Sequence, residues 1–302
     1  MSSSTHPSEL AFFSTLAAAG GLTAAARNMG ISTPAVSKRL AQMEARLGVT
    51  LITRTTRRMH LTPEGELYLA HARRILSDIG DMEQQLADSQ AGPRGLLRVN
   101  ASPGFGRGYV APLLSRFKAA HPDVQVQLQL SVNPPAFIDD MFDVCIRFGQ
   151  PPDARIIARR LASNRRLLCA APDYLALRGA PKTPDELAHH DCIDIHQGGE
   201  AYGVWRLTGR HDSTAKSHSV KVHSGMATND GEVAVKWALD GHGILMRAEW
   251  DISRHLKSGR LVQVLPDYQT PDADIYAVYA PRHQLSRRIR AFVDFTVDSF
   301  AD

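Results

Sequence analysis

Residues 22–41 read LTAAARNMGISTPAVSKRLA, a pattern that predicts two short helices joined by a tight turn. Gly30 ends the first helix, because glycine readily adopts the left-handed backbone that closes many helices. Ser32 is positioned to cap the second helix, and Pro34 lies in its first turn, where a missing N–H costs little. The buried face of this helix is predicted by apolar residues spaced four, three and four apart, namely Val36, Leu40, Met43 and Leu47. Together these features predict a helix-turn-helix.

The start of the second helix carries the side chains with which it would contact DNA. Serine and threonine hydroxyls bond phosphates or base edges, and a lysine reaches either. The predicted DNA-binding residues of this helix are Ser32, Thr33, Pro34, Ser37 and Lys38. Any three-helix cluster has similar apolar spacing, so this motif alone does not establish DNA binding.

A basic hairpin follows the helix-turn-helix. An apolar strand at 51–52 leads into the basic tip RTTRR at 54–58, and residues 59–62 return. This pattern is typical of a wing, which lies beside a recognition helix and contacts the DNA backbone or the minor groove. We therefore predict that Arg54 and Arg57 are further DNA-binding residues.

The positive charge of the chain is concentrated in this region. Residues 20–62 contain seven arginines and lysines and one acidic residue, a net charge of +6, whereas the whole chain has +4. A concentrated positive field favours a polyanion, because neutralised phosphates provide most of the non-specific affinity for nucleic acid. The alternative is a basic face that is simply solvated.

Residues 63–89 predict one long linker helix, with Thr62 as its cap and Pro63 in its first turn. Its apolar residues alternate between spacings of four and three along one narrow seam: Tyr68, Ala72, Ile75, Ile79, Met82 and Leu86. Such a heptad seam favours pairing with a second copy of the chain. The alternative is a helix that packs against its own domain.

Residues 90–302 predict strands that alternate with helices, after a glycine- and proline-containing linker. Residues 124–130 read VQVQLQL, a strict alternation that indicates a strand with one buried face. The chain is thus predicted to be an α/β multidomain protein with a winged helix-turn-helix domain at 1–62, a linker helix at 63–89 and an α/β domain at 90–302.

Composition narrows the class of protein further. Hydrophobic residues make up 43 % and charged residues 22 % of the chain, as in ordinary globular proteins. The N-terminus MSSSTHPSEL lacks the basic and apolar segments of an export signal. Cys145, Cys169 and Cys192 form no CxxC motif, which argues against a disulfide framework or a zinc site. These features predict a cytoplasmic protein without a metal or cofactor.

The order of these motifs closely resembles that of the LysR-type transcriptional regulators. The matching stretches are LTAAARNMGISTPAVSKRLA at 22–41, LGVTL at 47–51, RTTR at 54–57, LTPEG at 61–65, YVAPLL at 109–114 and FDVCIRFG at 142–149. The resemblance implies a regulator that binds operator DNA and that forms a homodimer or homotetramer through its linker helix. RNA polymerase is the further partner that it implies. It also implies a C-terminal effector domain with the periplasmic-binding-protein fold, in which a cleft separates lobe one (96–162 and 270–302) from lobe two (163–269).

Ligands in open α/β sheets bind beyond the carboxyl ends of the strands. Ser102 opens a glycine-containing loop at such an end, and exposed N–H groups there suit a carboxylate or a phosphate. Arg147 ends another strand and would clamp an anion through its planar fork. Its alternative role is an ion pair with Asp140 or Asp143.

The second lobe would bring His196 and Thr228 across the cleft that the resemblance implies. His196 could instead fill a half-buried slot of the lobe. The predicted effector is a small organic anion, such as a carboxylate, bound by Ser102, Arg147, His196 and Thr228.

An enzymatic function is not predicted, because no G-x-S-x-G, HExxH or paired-carboxylate motif is present. A redox sensor is the first alternative for the effector domain, and it needs two cysteines that can form a bridge. Cys145 and Cys169 lie in predicted strands, where inert buried thiols are expected. A regulator that needs no ligand is the second alternative, although an effector region of this length argues against it.

Overall fold

The computed structural model describes residues 6–54, 59–86, 92–132, 142–149, 156–196, 203–210 and 217–301. The chain divides into two units: Met1–Gly95 with Leu285–Arg287, and Leu96–Gln284 with Arg288–Asp302. No helix in these described ranges is both long and apolar enough to cross a membrane.

Three helices form the core of the first unit: α1 (Pro7–Ala19), α2 (Leu22–Met29) and α3 (Thr33–Leu47). The predicted apolar face of α3 packs inward, since Val36 and Leu40 are fully buried. The predicted cap is also confirmed, because the Ser32 hydroxyl accepts a hydrogen bond from the backbone N–H of Ala35 at 3.4 Å. Local spacing and capping therefore account for this part of the fold.

A two-stranded antiparallel hairpin follows, formed by β1 (Ile52–Arg54) and β2 (Met59–Leu61). Residues 55–58 of the predicted basic tip lie outside the described residues. The following helix, α4 (Pro63–Leu86), begins at the predicted cap, where the Thr62 hydroxyl accepts from the N–H of Gly65 at 3.0 Å.

The two parts of the predicted α4 seam lie in different environments. Near the start of the helix, Tyr68 packs edge-on against the ring of Phe13, with ring centroids 5.2 Å apart, and Ala72 is fully buried. Farther along, Ile75 is 38 % exposed and Met82 is 52 % exposed. The first part of the seam therefore packs on its own domain, the alternative reading, and only the later part faces outward.

The second unit contains two five-stranded sheets. The first has the strand order β4-β3-β5-β15-β6. Its strands are β3 (Gly95–Ala101), β4 (Val124–Leu130), β5 (Val144–Phe148), β6 (Ile157–Ala162) and β15 (Ile275–Tyr279). Its helices are α5 (Pro103–Phe105), continued by a π-helical turn (Gly106–Val110), α6 (Ala111–Ala120) and α10 (Arg287–Ala301). Phe105, Phe117 and Phe292 are fully buried in its core.

The second large sheet has the strand order β11-β8-β12-β7-β13, beside a small sheet of order β10-β9-β14. The large sheet contains β7 (Arg166–Ala170), β8 (Asp191–Ile195), β11 (His223–Thr228), β12 (Ile244–Ala248) and β13 (Val262–Val264). The small sheet contains β9 (Val204–Gly209), β10 (His218–Lys221) and β14 (Tyr268–Gln269). The accompanying helices are α7 (Pro172–Arg178), α8 (Gly231–Leu239) and α9 (Glu249–Lys257), and 3-10 turns occupy Pro184–His189 and Pro281–Leu285.

Several elements are not apparent from local sequence patterns. Strand β6 reads IARRLA and lies at the edge of its sheet, where arginines remain exposed and apolar alternation is weak. The sequence also predicts a single strand at 216–223, but the structure ends β10 at Lys221 and begins β11 at His223, and these two strands belong to different sheets.

The chain passes between the two large sheets twice, after β6 and before β15. These crossings are bonded to each other. The backbone N–H of Asn164 donates to the carboxylate of Asp274 at 3.0 Å, and the Asn164 amide donates to the carbonyl of Ala273 at 2.9 Å. Arg160 also forms an ion pair with Asp274.

Candidate DNA-binding surface and effector cleft

The predicted DNA-binding residues of α3 lie together at its start. Ser32, Pro34 and Lys38 are exposed, and Thr33 and Ser37 are half-buried. Val36, in the middle of this stretch, is fully buried and points into the core. The hairpin side chains are less informative, because the Arg54 side chain and the whole of Arg57 lie outside the described residues.

Two of the seven basic residues at 20–62 brace the fold instead of forming an open basic face. Arg39 donates to the carbonyl of Ser8 at 2.9 Å, and its guanidinium lies 4.6 Å from the centre of the Phe12 ring. Arg46 pairs with Glu9 at 2.6 Å. Both residues therefore tie α3 to α1, and the local count of basic residues overstates the charge available to DNA.

Glu44 is a structural link that the sequence analysis missed. One carboxylate oxygen, Oε1, accepts hydrogen bonds from the backbone N–H groups of Leu51 at 2.8 Å and Ile52 at 3.1 Å. This single acidic residue of the basic segment therefore fastens the first strand of the hairpin to α3. The sequence signal for this role is that Glu44 is the single acidic residue among the arginines and lysines of residues 20–62.

In the first large sheet, Ser102 follows β3 and Arg147 lies near the end of β5, which is parallel to β3. Asn100 of β3 pairs with Cys145 of β5, so Ser102 and Arg147, each two residues farther on, lie at the same end of the sheet. Ser102 occupies the position before α5, and both residues are half-buried.

The alternative pairing of Arg147 with Asp143 is wrong. The buried Asp143 carboxylate accepts from the backbone N–H of Arg98 at 2.8 Å, and the Arg98 guanidinium approaches it at 3.9 Å. The register that places β3 beside β5 therefore gives Asp143 a different arginine as its partner. Asp140, the other candidate partner, lies outside the described residues.

In the second large sheet, His196 and Thr228 are neighbours. The backbone N–H of His196 donates to the carbonyl of Thr228 at 2.8 Å, at the ends of parallel strands β8 and β11. The His196 side chain is exposed, so its predicted half-buried slot is wrong. The Thr228 hydroxyl accepts from the N–H of Asp230, whose carboxylate caps α8.

An ion pair connects the segments that follow Ser102 and Thr228. Arg107, in the π-helical turn, donates to Glu232 of α8 at 2.9 Å and lies 3.9 Å from the Asp230 carboxylate. The carboxyl-end loops of the two large sheets therefore approach each other across a cleft.

Arg247 is a second residue that the sequence analysis missed. It lies near the end of β12, which runs parallel to β8, so it shares the sheet edge of His196 and Thr228. Its guanidinium pairs with Asp251 at 2.6 Å. The sequence predicts a strand at 243–246, which leaves Arg247 in a connection, although an arginine at a strand end is the same signal that identifies Arg147.

A cavity of about 290 Å³ lies beside this cleft, and four aromatic side chains contribute to its walls. The Trp250 ring separates it from Arg247, whose guanidinium carbon lies 5.7 Å from the ring centre. The cavity is lined by Phe105, Tyr109, Ala162, Ser163, Asn164, Glu249, Trp250, Ser253, Ile275 and Phe300.

The three cysteines are buried and unbridged. Burial raises the pKa of the Cys169 and Cys192 thiols to about 12. Cys169 packs on one face of the second sheet and Cys192 on the other, which prevents a bridge between them. Within the described residues, no group of three histidine, cysteine or acidic side chains is arranged to hold a metal ion.

Comparison with known proteins identifies both parts of the chain. Residues 7–66 match the family described as "Bacterial regulatory helix-turn-helix protein, lysR family", and residues 90–301 match the "LysR substrate binding domain". The chain belongs to the LysR family. The LysR-type architecture of a helix-turn-helix domain followed by a ligand-binding domain is thereby confirmed.

Individual relatives agree with this assignment. The LysR-type chain is 39 % identical to the HTH-type transcriptional regulator DmlR of Escherichia coli K12, covering 97 % of this chain and 94 % of that protein. It is 35 % identical to the transcriptional activator TtdR of the same strain, covering 91 % and 87 %. These relatives are transcriptional regulators, so this LysR-type protein is a DNA-binding regulator and not an enzyme.

Solved structures show the same fold. CrgA of Neisseria meningitidis, a LysR-type transcriptional regulator, is 27 % identical with a TM-score of 0.61, and the alignment covers 99 % of this chain and 100 % of that one. Full-length AphB of Vibrio cholerae is 24 % identical with a TM-score of 0.62, covering 97 % and 99 %.

Proposed function

We propose that this LysR-type regulator responds to a small organic anion, a carboxylate, bound in the cleft of its second unit. Ser102 and Arg147 contribute from one sheet, and His196 and Thr228 contribute from the other. The sequence predicts a loop after Ser102, but α5 begins there at Pro103, so a carboxylate would accept N–H bonds from the start of α5 and a forked pair from Arg147.

The observation that supports this proposal most directly is the ion pair between Arg107 and Glu232 at 2.9 Å. Arg107 lies five residues after Ser102, and Glu232 lies four residues after Thr228. The pair brings the two carboxyl-end loops together, which is where open α/β sheets bind ligands. The thiols are buried and form no disulfide, so they give no support to the redox alternative.

The test is the Arg147→Ala variant, titrated by calorimetry with acetate, succinate and citrate at constant ionic strength. Loss of one charged hydrogen bond costs roughly 1.5–3 kcal/mol, or about ten- to a hundredfold in affinity. Arg147→Lys should rescue little, because lysine lacks the planar fork. Arg159→Ala, which removes an exposed arginine from the edge strand β6, is the matched control.

Melting curves separate this role from a structural one. If Arg147 only holds the domain together, Arg147→Ala melts early with or without a carboxylate and still binds it normally. A wild-type protein that none of the three carboxylates binds or stabilises would contradict the proposed effector class.

We further propose that Ser32, Thr33, Pro34, Ser37 and Lys38 contact operator DNA, together with Arg54 and Arg57 of the hairpin. Two recognition helices would meet successive major grooves, roughly 34 Å or a multiple of this distance apart, and footprinting should show an interrupted dyad.

The proposed assembly is a homodimer or homotetramer that pairs through the outward-facing part of α4, where Ile75 and Met82 are exposed. RNA polymerase is a proposed partner at the promoter, and the proposed location is the cytoplasm, where the operator DNA lies. Light scattering that shows a strict monomer at micromolar concentration would contradict the assembly.

A further inference from the structure

We propose that Arg247 is the main anion-binding residue that lobe two contributes to the effector cleft, and that its ligand is a carboxylate group of the effector. This inference rests on the proposed function and adds to it a residue from the opposite side of the cleft. Three observations support it: the burial of the guanidinium, its unused donors, and the glycine, Gly231, that makes room for it.

The guanidinium is a largely buried charge with spare hydrogen-bonding capacity. The Arg247 side chain is only 11 % exposed. Nε and Nη2 of Arg247 both face one carboxylate oxygen of Asp251, Oδ2, and each lies 2.6 Å from it. Nη1 has no hydrogen-bond partner among the described residues. Burying a cation is costly unless it is paired and hydrogen bonded. The Arg247 guanidinium uses only its Nε and Nη2 edge for Asp251, so its remaining donors suit an additional anion.

The first residue of α8, Gly231, makes the space for this guanidinium. A Cβ atom at Gly231 would lie 1.9 Å from Nη2 and 2.0 Å from Cζ, so no side chain fits there while Arg247 keeps its position. A Cβ atom at Gly104 would lie 3.6 Å from Nη2 and 3.6 Å from the Trp250 ring, which is ordinary van der Waals contact, so Gly104 is a neighbour of the guanidinium but is not required by it. Arg247 therefore lies between α5, which follows Ser102, and the start of α8.

The planar fork favours a planar ligand. A carboxylate matches two parallel N–H donors of a guanidinium, and the adjacent Trp250 ring keeps water away from one side of the group. The competing explanation is that Arg247 only holds α9 against β12 through its i,i+4 pair with Asp251.

The experiment compares the full-length wild type with two variants, by calorimetric titration with acetate, succinate and citrate at constant ionic strength. Arg247→Gln should weaken binding of the carboxylate that the wild type binds best by roughly ten- to a hundredfold. Asp251→Asn removes the same ion pair but leaves the cation, so it should weaken binding far less than Arg247→Gln. If the two variants lose equal affinity, Arg247 acts only through Asp251 and the inference is wrong.

Gly231→Ala gives an independent test, because it displaces the guanidinium without removing its charge. It should lower carboxylate affinity by at least severalfold, and adding Arg247→Gln to it should produce little further loss, since the two changes act on one contact. Additive losses would contradict the inference.

The outcomes separate this inference from the proposed function. A wild type that binds none of the three carboxylates overturns both. A wild type that binds one, with Arg247→Gln binding it equally well, overturns only the role of Arg247. Melting curves accompany each titration. If Arg247→Gln does not fold, the comparison of the single variant Gly231→Ala with the wild type decides alone.

Discussion

Glu44 offers a sharp test of how the recognition helix and the hairpin are joined. In Glu44→Ala, the N–H groups of Leu51 and Ile52 lose the carboxylate oxygen that they now share at 2.8 and 3.1 Å. A hydrogen bond to a charged group contributes about 1.5–3 kcal/mol. Because the Glu44 side chain is half-buried and water can partly replace it, we expect a total loss of about 2–4 kcal/mol from the first unit.

The measurement must report on the first unit alone. All three tryptophans, Trp205, Trp237 and Trp250, lie in the second unit, so their fluorescence is silent about this change. Hydrogen exchange of peptides from residues 6–86, followed across a urea series, gives the local free energy of unfolding.

Two controls accompany this variant. Glu44→Gln keeps an acceptor oxygen and should lose about 1 kcal/mol. Glu83→Ala removes the same charge from an exposed site on α4 and should stay within about 0.5 kcal/mol of wild type. If Glu44→Ala unfolds like Glu83→Ala and the amides of Leu51 and Ile52 keep their protection, the link we describe does not hold the hairpin.

Three further predictions follow from the two units. Val36→Ala should lower the free energy of unfolding by about 1–2 kcal/mol and leave the DNA contacts normal. Ser37→Ala should weaken DNA binding and leave the melting temperature unchanged. Swapped phenotypes would contradict the assignment of Val36 to the core and Ser37 to the DNA-binding face. Arg54→Ala or Arg57→Ala should weaken binding to all DNA sequences and reduce the salt slope by about one unit; a changed base preference at constant slope would make that residue a base reader. Burial raises the pKa of Cys169 to about 12, so it stays a neutral thiol in the folded state, and stability should fall as pH rises above the ordinary thiol pKa. Iodoacetamide at pH 8 should label Cys169 only after unfolding, and rapid labelling of the native protein would refute this.

The sequence predicts those features of the fold that depend only on residues close together in the chain. The apolar face of α3 and the caps at Ser32 and Thr62 follow from spacings of three or four residues, which one helix satisfies by itself. Strand β4 is also apparent, because VQVQLQL alternates without interruption.

Relations between distant segments are not visible in this way. Asp143 pairs with Arg98 and not with Arg147, because strand register brings β3 beside β5. Arg247 of β12 gains its space from Gly231, the first residue of α8, which is a different element of the lobe. Arg39 counts as surface charge in the sequence, yet it packs over Phe12. Each case needs the tertiary structure before the side chain has a defined role.

The bonded crossings between the two large sheets have a mechanical consequence. Sliding one sheet past the other, or twisting them about the long axis of the unit, would pull Asn164 away from both Ala273 and Asp274. Bending about a line through these three residues keeps all of the bonds. The two sheets are therefore expected to bend relative to each other more easily than they slide or twist, and a ligand that acts on this motion should change mainly one angle. A graded series of ligands should accordingly produce conformations along a single coordinate rather than a separate shape for each.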